Sequence, residues 1–248
     1  MKSLVVGVMQ PYYFPYLGYF SHIFASDYFV LHDDVEFSKN GWINRNRFLS
    51  STKISLLTLP LAAAPDSARI SERVIAANFE PGKHFRMLEG AYRRAPFWHE
   101  LRDELPELLR VETANLSNHL SSVVGRICHL LEIETPLVSS SDLDFDRELR
   151  GQARVLRICE LAGAQTYLNP EGGKNLYSGQ DFSRRGMDLA FISHTPRSYP
   201  QREFERKEAD TASFVERLSI LDMLAEIGLA DTRLRVRKDF TVMRASDG

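Results

Sequence analysis

A chain of 248 residues with 44% hydrophobic and 26% charged side chains has enough apolar material for a sizeable core, which argues against disorder over most of its length. A formal net charge of -2 supplies no positive field along which a polyphosphate backbone could lie, so broad nucleic-acid binding is not expected and basic side chains must act locally. The two cysteines, Cys128 and Cys159, are too few for a disulfide framework and fall on apolar helical faces. They read as small buried hydrophobes, with a nucleophilic Cys159 as the minority reading.

In chain order, MKSLVVGVMQ is apolar over too short a run for a signal peptide or a membrane span and has no small-residue cleavage site, so a cytoplasmic location is expected. SLVVGVMQ reads as a buried strand closed by Gln10-Pro11. Leu17, Phe20, Ile23 and Phe24 at helical spacing predict a helix in YLGYFSHIFASD, and YFVLHDD predicts a second strand. Strand, helix and strand in about thirty residues predict a βαβ unit with a parallel pair. Ligands of open parallel sheets collect beyond the carboxyl ends of strands, where Gln10 and His32-Asp33-Asp34 fall.

SLLTLPL and ISERVIA predict strands, and helical spacing predicts three helices over about 81–94, 98–110 and 113–132. His119 and His129 in the last of these read as solvated or satisfied rather than as ligands. PLVSSSDL predicts a strand, about 146–162 a helix, and QTYLNP and DLAFISH two more strands, so a second parallel unit extends the sheet. SFVERLSILDMLAEIGL predicts one amphipathic helix, with Phe214, Leu218, Leu221, Leu224 and Ala225 on one side. No linker, charge run or repeat divides the chain. The expectation is a single α/β domain over 1–235, with a mostly parallel central sheet, a Rossmann-like N-terminal βαβ unit, a helical insertion over about 81–132, and a flexible polar tail over 236–248.

Four stretches carry groups suited to a small-molecule site. In QPYYFPYLGYF, two prolines fix an aromatic loop with Tyr16 and Tyr19 before a helix whose first N–H groups can meet an anion; a packed aromatic loop is the equal alternative. In VLHDDVEFSKNGWINRNRF, His32 can shuttle a proton, and Asp33 and Asp34 can accept protons or hold a divalent cation such as Mg²⁺. Alternation along a strand is expected to keep the two carboxylates from sharing one point, with one inward as base or orienter and the other at the rim. Lys39, Arg45 and Arg47 offer positive charge, Trp42 an indole, and Asn44 and Asn46 amides suited to a sugar, against the alternative of a solvated loop with scattered ion pairs.

In YLNPEGGKNLY, Gly172-Gly173 permits close backbone approach to a ligand among Tyr167, Asn169, Lys174 and Tyr177. In YPQREF, Gln201 follows a proline in an extended segment, while Ser219 and Asp222 of LSILD share a helix face, where capping or locking of the helix is favoured over chemistry. Metal-ligand Cys/His spacing, a Walker loop, a nucleophile elbow and a dinucleotide fingerprint are absent from the sequence.

In Gln10-Pro11 through FPYLGYF, DDVEFSKNGWINRNR, YLNPEGGKNLY, YPQ at 199–201 and LSILD ending at Asp222, the sequence resembles the WbqC-like proteins. These are bacterial proteins often encoded with genes for surface-polysaccharide or O-antigen sugar biosynthesis. The resemblance covers residue 4 to about residue 228 and implies a transferase step on an amino sugar or related metabolite. PYLGYFSHIFASDYFVLHDD is also similar in layout to the His-x-Gly-His loop of nucleotidyltransferases and class I aminoacyl-tRNA synthetases, which implies a HUP-like fold. Tyr16 and Tyr19 flank Leu17-Gly18 where the two histidines would stand, and no Lys-Met-Ser-Lys-Ser-like loop follows.

The expected function is therefore acyl or aminoacyl transfer to an amine of a nucleotide-activated amino sugar or related metabolite. His32, Asp33, Asp34 and Lys39 form the expected catalytic set. Gln10, Tyr16, Tyr19, Trp42, Asn44, Arg45 and Asn46 form the expected substrate wall with Tyr167, Asn169, Gly172, Gly173, Lys174, Tyr177 and Gln201. A nucleotide or acyl donor is the implied co-substrate. Mg²⁺-dependent nucleotidyl or adenylyl transfer and a non-catalytic sugar- or partner-binding module are the alternatives. A small molecule is the expected partner, without nucleic acid or membrane insertion, and homo-oligomerisation stays open.

Overall fold

The computed structural model describes residues 3–50, 53–201 and 214–245. Val5–Met9 forms β1, Leu17–Phe24 forms α1, and Tyr28–Leu31 forms β2, which pairs parallel to β1. A Cβ at Gly7 would run into Ser26, Phe29 and His22, so this glycine is what lets α1 lie close on β1. β5 (Leu137–Ser139) pairs parallel to β2, β6 (Thr166–Pro170) to β1, and β7 (Asp188–His194) to β6. The order β5-β2-β1-β6-β7-β8, where β8 is Phe240–Arg244, sets β1 beside β6 with the chain winding outward from each in opposite directions, the switch point of a doubly wound sheet. The fold is α/β and Rossmann-like, with a mostly parallel six-stranded sheet.

Both faces of the sheet are covered, which is why its strands read as near-continuous apolar runs. Val6, Val8, Val30, Tyr167 and Leu189 pack with α5 (Gly151–Leu161) on one face. Phe29 and Leu31 join Phe20 and Ile23 of α1 in a larger core on the other. That core takes in α2 (Pro81–Tyr92), α3 (Trp98–Leu108) and α4 (Leu116–Leu130), which lie between β4 and β5 in the chain. Cys128 and Cys159 are buried, and burial raises both thiols, Cys128 to about 12, so neither is a ready nucleophile.

Several elements depart from expectation for local reasons. Arg45–Leu49 is a strand, β3, paired antiparallel with β4 (Ile54–Thr58) as a separate hairpin, although its alternating Arg and Asn reads as loop. ISERVIA is not a strand: Glu72 accepts the Arg69 N–H at 2.8 Å and closes a 3₁₀ turn over Ile70–Glu72. The helix expected from residue 146 begins at Gly151. The long helix expected over 213–229 starts in part outside the described residues, and the described part splits. Ser219 caps α7 (Ile220–Glu226), and α8 (Gly228–Lys238) follows after a break. Gly228 at φ +77° permits that break, and a side chain there would strike Phe97. The tail expected to be flexible carries β8 (Phe240–Arg244), antiparallel to β7. α6 is the short helix Gly179–Ser183 before β7.

The carboxyl ends of β2 and β5 are tied by a buried charge network. Asp33 accepts the Ser141 N–H at 2.9 Å through Oδ1, and the Ser117 and Ser141 hydroxyls at 2.5 and 2.8 Å through Oδ2. Ser140 Oγ stands 3.1 Å from Asp33 Oδ1 and 2.5 Å from Asp34 Oδ1, so the two carboxylates do share a point. Strand alternation fails to separate them because β2 ends at Leu31, before either aspartate. Asp34 Oδ2 meets Arg147 at 2.8 Å and Arg154 at 3.4 Å. Burial alone would raise the Asp34 carboxyl, but Ser140, Arg147 and Arg154 together hold it below the usual range.

With these oxygens already taken by hydroxyl, amide and guanidinium donors, the pair offers a divalent cation neither free lone pairs nor a favourable field. The Mg²⁺ expected on Asp33 or Asp34 therefore does not fit there. Among the described residues no group of three or more His, Cys, Asp or Glu could hold a metal ion, and no helix is long and apolar enough to cross a membrane.

Two predictions follow from this interior. Asp33→Asn replaces a charged acceptor of several donors with an amide that must turn N–H groups toward some of them. The expected loss is about 2 kcal/mol or more of unfolding free energy, read from chemical denaturation, and an unchanged midpoint would show that the charge is dispensable. His22, His32 and His119 are each pulled down to about 4 by burial. An unfolded histidine titrates near about 6.5, so the unfolded chain binds more protons between those values. Stability present above about pH 6.5 is thus lost as pH falls toward 4. Neither His119 ring nitrogen has a hydrogen-bond partner among the described residues, so His119→Leu should lose less stability than the wild type between pH 7 and pH 5 in thermal denaturation. Equal losses would remove His119 from the account.

Candidate functional site

Two cavities open at the carboxyl edge of the sheet. The inner one, about 370 Å³, lies at the switch point between Met9 at the end of β1, Pro170-Glu171-Gly172 after β6, and Ile192–His194 at the end of β7. Tyr16, Gly18, Tyr19 and His22 close it from α1. The outer one, about 310 Å³, is walled by Tyr12, Trp42, Asn46 and Arg47. Met9, Tyr16 and Arg217 line both.

The loop between β1 and α1 sets the shape of both. Phe14, at φ 47°, holds a left-handed backbone that costs an L-residue with a bulky side chain about 1–2 kcal/mol. Asn46 donates to the Phe14 carbonyl at 2.8 Å, Tyr13 N–H to Ile43 at 2.9 Å, and Ile220 N–H to the Pro15 carbonyl at 2.8 Å. The hairpin β3–β4 and the start of α7 thus grip the loop from two sides. Tyr16 is the N-cap of α1 without a side-chain cap, which leaves the Leu17 and Gly18 N–H groups unpartnered among the described residues. A Cβ at Gly18 would meet Tyr16 and His194, so only glycine lets the first turn approach β7.

The electrostatics of the shared ridge are positive. Arg47 donates to the carbonyls of Glu216 and Arg217 at 2.9 and 3.3 Å, and its guanidinium lies over the Trp42 ring, 5.6 Å from the centroid. Arg217 sits at φ 56°, a second strained residue. Neither arginine has a carboxylate partner among the described residues, and neither the Tyr12 nor the Tyr16 hydroxyl makes a hydrogen bond to a described residue. Burial raises Tyr12 to about 12 and raises Tyr16 against the pull of Arg217, so both hydroxyls are donors at neutral pH. Burial lowers the His194 imidazole, which is therefore uncharged at neutral pH. Glu171 pairs with Lys174 at 2.6 Å, a surface contact that with Ser193 holds its carboxyl below the usual range.

The structure brings together Tyr16, Tyr19 and Gly172 at the inner cavity and Tyr16, Trp42 and Asn46 at the outer one. The other sequence-predicted residues lie apart from these linings. Gln10 lends its carbonyl to the Tyr19 hydroxyl at 3.0 Å. Asn44 donates to Leu59 at 2.8 Å and Arg45 to Gly41 at 3.1 Å, both bracing the hairpin. Lys39 pairs with Asp66 at 2.6 Å on the surface. His32, Asp33 and Asp34 belong to the buried network after β2, with His32 Nε2 3.6 Å from Asp34 Oδ1.

Tyr167 is stacked on Phe182, its hydroxyl donating to Asn169 at 2.8 Å and standing 3.3 Å from that of Tyr177. Gly173 backs onto Asn169, and Lys174 is held by Glu171. The Gln201 amide pairs in both directions with the Val215 main chain, at 2.9 and 2.8 Å. Tyr199 and Tyr92 both donate to the buried Asp222, at 2.7 and 2.9 Å, so YPQ and LSILD meet as a lock on α7. Met9, Tyr12, Glu171, His194 and Arg217 are among the lining residues that sequence reasoning missed. Glu171 and His194 stand at the carboxyl ends of predicted strands, a signal already in use for Gln10. Arg217 carried no signal, because the expected helix ran through it.

Residues 10–234 match the WbqC-like protein family. The protein of Mycobacterium tuberculosis (strain ATCC 25618 / H37Rv) named "Uncharacterized protein Rv1507c" is 27% identical over 226 residues, 90% of this chain and 94% of that protein. No solved structure matches. The matched span runs from the loop after β1 into α8 and takes in every residue that lines the two cavities except Met9; it covers most of the sequence, and the chain belongs to the WbqC-like protein family.

Proposed function

We propose that this protein is a small-molecule transferase that moves an acyl or aminoacyl group onto an amine of a nucleotide-activated amino sugar or related metabolite in surface-polysaccharide (O-antigen) synthesis. A cytoplasmic site of action goes with this reading. The observation that carries it is the shared wall: two cavities at a sheet switch point meet at Met9, Tyr16 and Arg217, which suits two reactants joined across one ridge. Holding two reactants in register can supply about 7–11 kcal/mol of the barrier, so no special nucleophile is required.

The chemistry divides among a few residues. Arg217 and the first N–H groups of α1 face an anionic portion of the donor. The amine enters the inner cavity, where the ionised Glu171 carboxylate attracts it. Its nitrogen bonds to the acyl carbon, the bond from that carbon to the leaving group breaks, and the proton lost by nitrogen passes to Glu171. In this reading His32, Asp33 and Asp34 brace the sheet edge beside the site, and Lys39 stays on the surface. Nucleotidyl transfer would call on metal-binding carboxylates, and the two expected for it are already occupied.

Incubating the protein with acyl and aminoacyl donors and an amino-sugar nucleotide, with mass spectrometry for the N-acylated product, tests the reading. Arg217→Ala should lower kcat/KM at least tenfold, about 1.4 kcal/mol, with the denaturation midpoint unmoved, since Arg217 is exposed and its guanidinium pairs with no described carboxylate. Glu171→Gln should lower kcat by a similar factor, while the lost surface pair with Lys174 costs at most about 1 kcal/mol of stability. Full activity in both variants, or no product from any donor, would overturn the assignment.

A further inference from the structure

We infer that the outer cavity is a nucleotide compartment, in which a nucleobase lies against the Trp42 indole and its phosphate reaches Arg47, Arg217 and the first turn of α1. This rests on the transferase reading only for the reaction that follows, and it names the substrate class that the reading leaves open.

Four observations converge on it. First, the chain has two tryptophans: Trp98 is 8% exposed in the core, and Trp42 is 42% exposed at a cavity mouth, even with a guanidinium over its ring. Such an indole is a stacking platform, and base–aromatic stacking contributes about 1–3 kcal/mol per base. Second, two cations line this cavity, Arg47 and Arg217, and neither pairs with a carboxylate among the described residues. Arg47 donates to the Arg217 carbonyl, and its Nε is buried without a hydrogen bond among the described residues. A bound phosphate is held by such guanidiniums through charge-assisted hydrogen bonds.

Third, the Tyr12 and Tyr16 hydroxyls remain protonated donors without a described protein partner, which suits ribose or phosphate oxygens. Fourth, Tyr16 is both a wall of this cavity and the N-cap of α1, so the two unpartnered N–H groups of the helix lie one and two residues beyond the aromatic wall. A planar ring beside an anion, in about 310 Å³, describes a mononucleotide moiety better than an acyl chain. The group that this nucleotide carries then reaches the ridge of Met9, Tyr16 and Arg217, across which the inner cavity holds the amine beside Glu171.

Trp98→Phe leaves Trp42 as the sole tryptophan, and its fluorescence can be titrated with UMP, UDP, AMP, uridine, glucose 1-phosphate and inorganic phosphate. Saturable quenching by at least one nucleotide below about 1 mM is expected, weakened at least tenfold in Arg47→Ala and Arg217→Ala and far weaker for uridine. If Trp98→Phe fails to fold, the difference signal between wild type and Trp42→Phe carries the same measurement. No quenching by any nucleotide, equal binding of glucose 1-phosphate, or an unchanged response in Arg217→Ala would overturn the compartment. Nucleotide binding without turnover of any donor would sink the transferase reading and leave this inference standing. Turnover with a KM indifferent to Trp42→Leu would do the reverse.

Discussion

The cleft depends on the grip that β3 and the start of α7 keep on the Phe14–Pro15 loop. A left-handed phenylalanine before a proline is a conformation that an isolated chain avoids, at a cost of about 1–2 kcal/mol. Hydrogen bonds from Asn46, Tyr13 and Ile220 each contribute about 1 kcal/mol net, and Phe14 itself is fully buried against Tyr13. The sum outweighs the strain, and the loop holds one shape. From that shape follow the position of Tyr16 at the head of α1, the open first turn of the helix, and the division of the cleft into two cavities. The grip also explains why an asparagine stands in the middle of β3: its side chain accepts the Arg47 N–H at 2.9 Å while it donates to Phe14, so one residue serves both strand and loop.

A second constraint lies one strand away. Two carboxylates, two guanidiniums and three serine hydroxyls are sealed between the ends of β2, β5 and the start of α5. Buried charge is costly unless every partner is in place, and a network of this kind admits few alternative geometries. It fixes where the chain leaves β2, which in turn sets the course of residues 35–44 toward the hairpin carrying Trp42, Asn46 and Arg47. The network thus acts on the cleft through position. The arginines that complete it, Arg147 and Arg154, come from more than a hundred residues downstream, so nothing near Asp33 in the sequence announces that the carboxylates are spoken for.

Much of the architecture was legible because it follows from local periodicity. β1, α1, β2, β6 and β7 stand close to their expected bounds, and the rule that ligands gather beyond the carboxyl ends of parallel strands pointed to the edge where both cavities open. Other features were hidden for definite reasons. A polar hairpin such as β3–β4 has no strong apolar alternation to betray it, and the break at Gly228 looks like an ordinary glycine in an amphipathic run. Of the residues that line the two cavities, Tyr16, Tyr19, Trp42, Asn46 and Gly172 were legible as crowded aromatic, amide and glycine positions near strand ends. Asp33, Lys39 and Gln201 attracted the same attention because residue type alone cannot tell a group aimed at a ligand from one aimed at its own fold.

That distinction becomes physical in the cations. A protein of net charge -2 with many arginines must neutralise most of them locally, and the fold does so with carboxylate pairs on its surface and in its interior. Where a guanidinium instead donates to main-chain carbonyls, as Arg47 does through Nη2, its position is held while no carboxylate among the described residues offsets its charge. Desolvation by the aromatic walls strengthens the field of such a charge, since fewer water dipoles screen it. Arg217, at a left-handed backbone angle and exposed, adds a second positive charge at the same ridge. In the proposed reading, the two positive charges between an exposed indole and a strand-end cavity are what an anion meets, and the weak overall charge leaves that encounter to shape and contact rather than to long-range attraction.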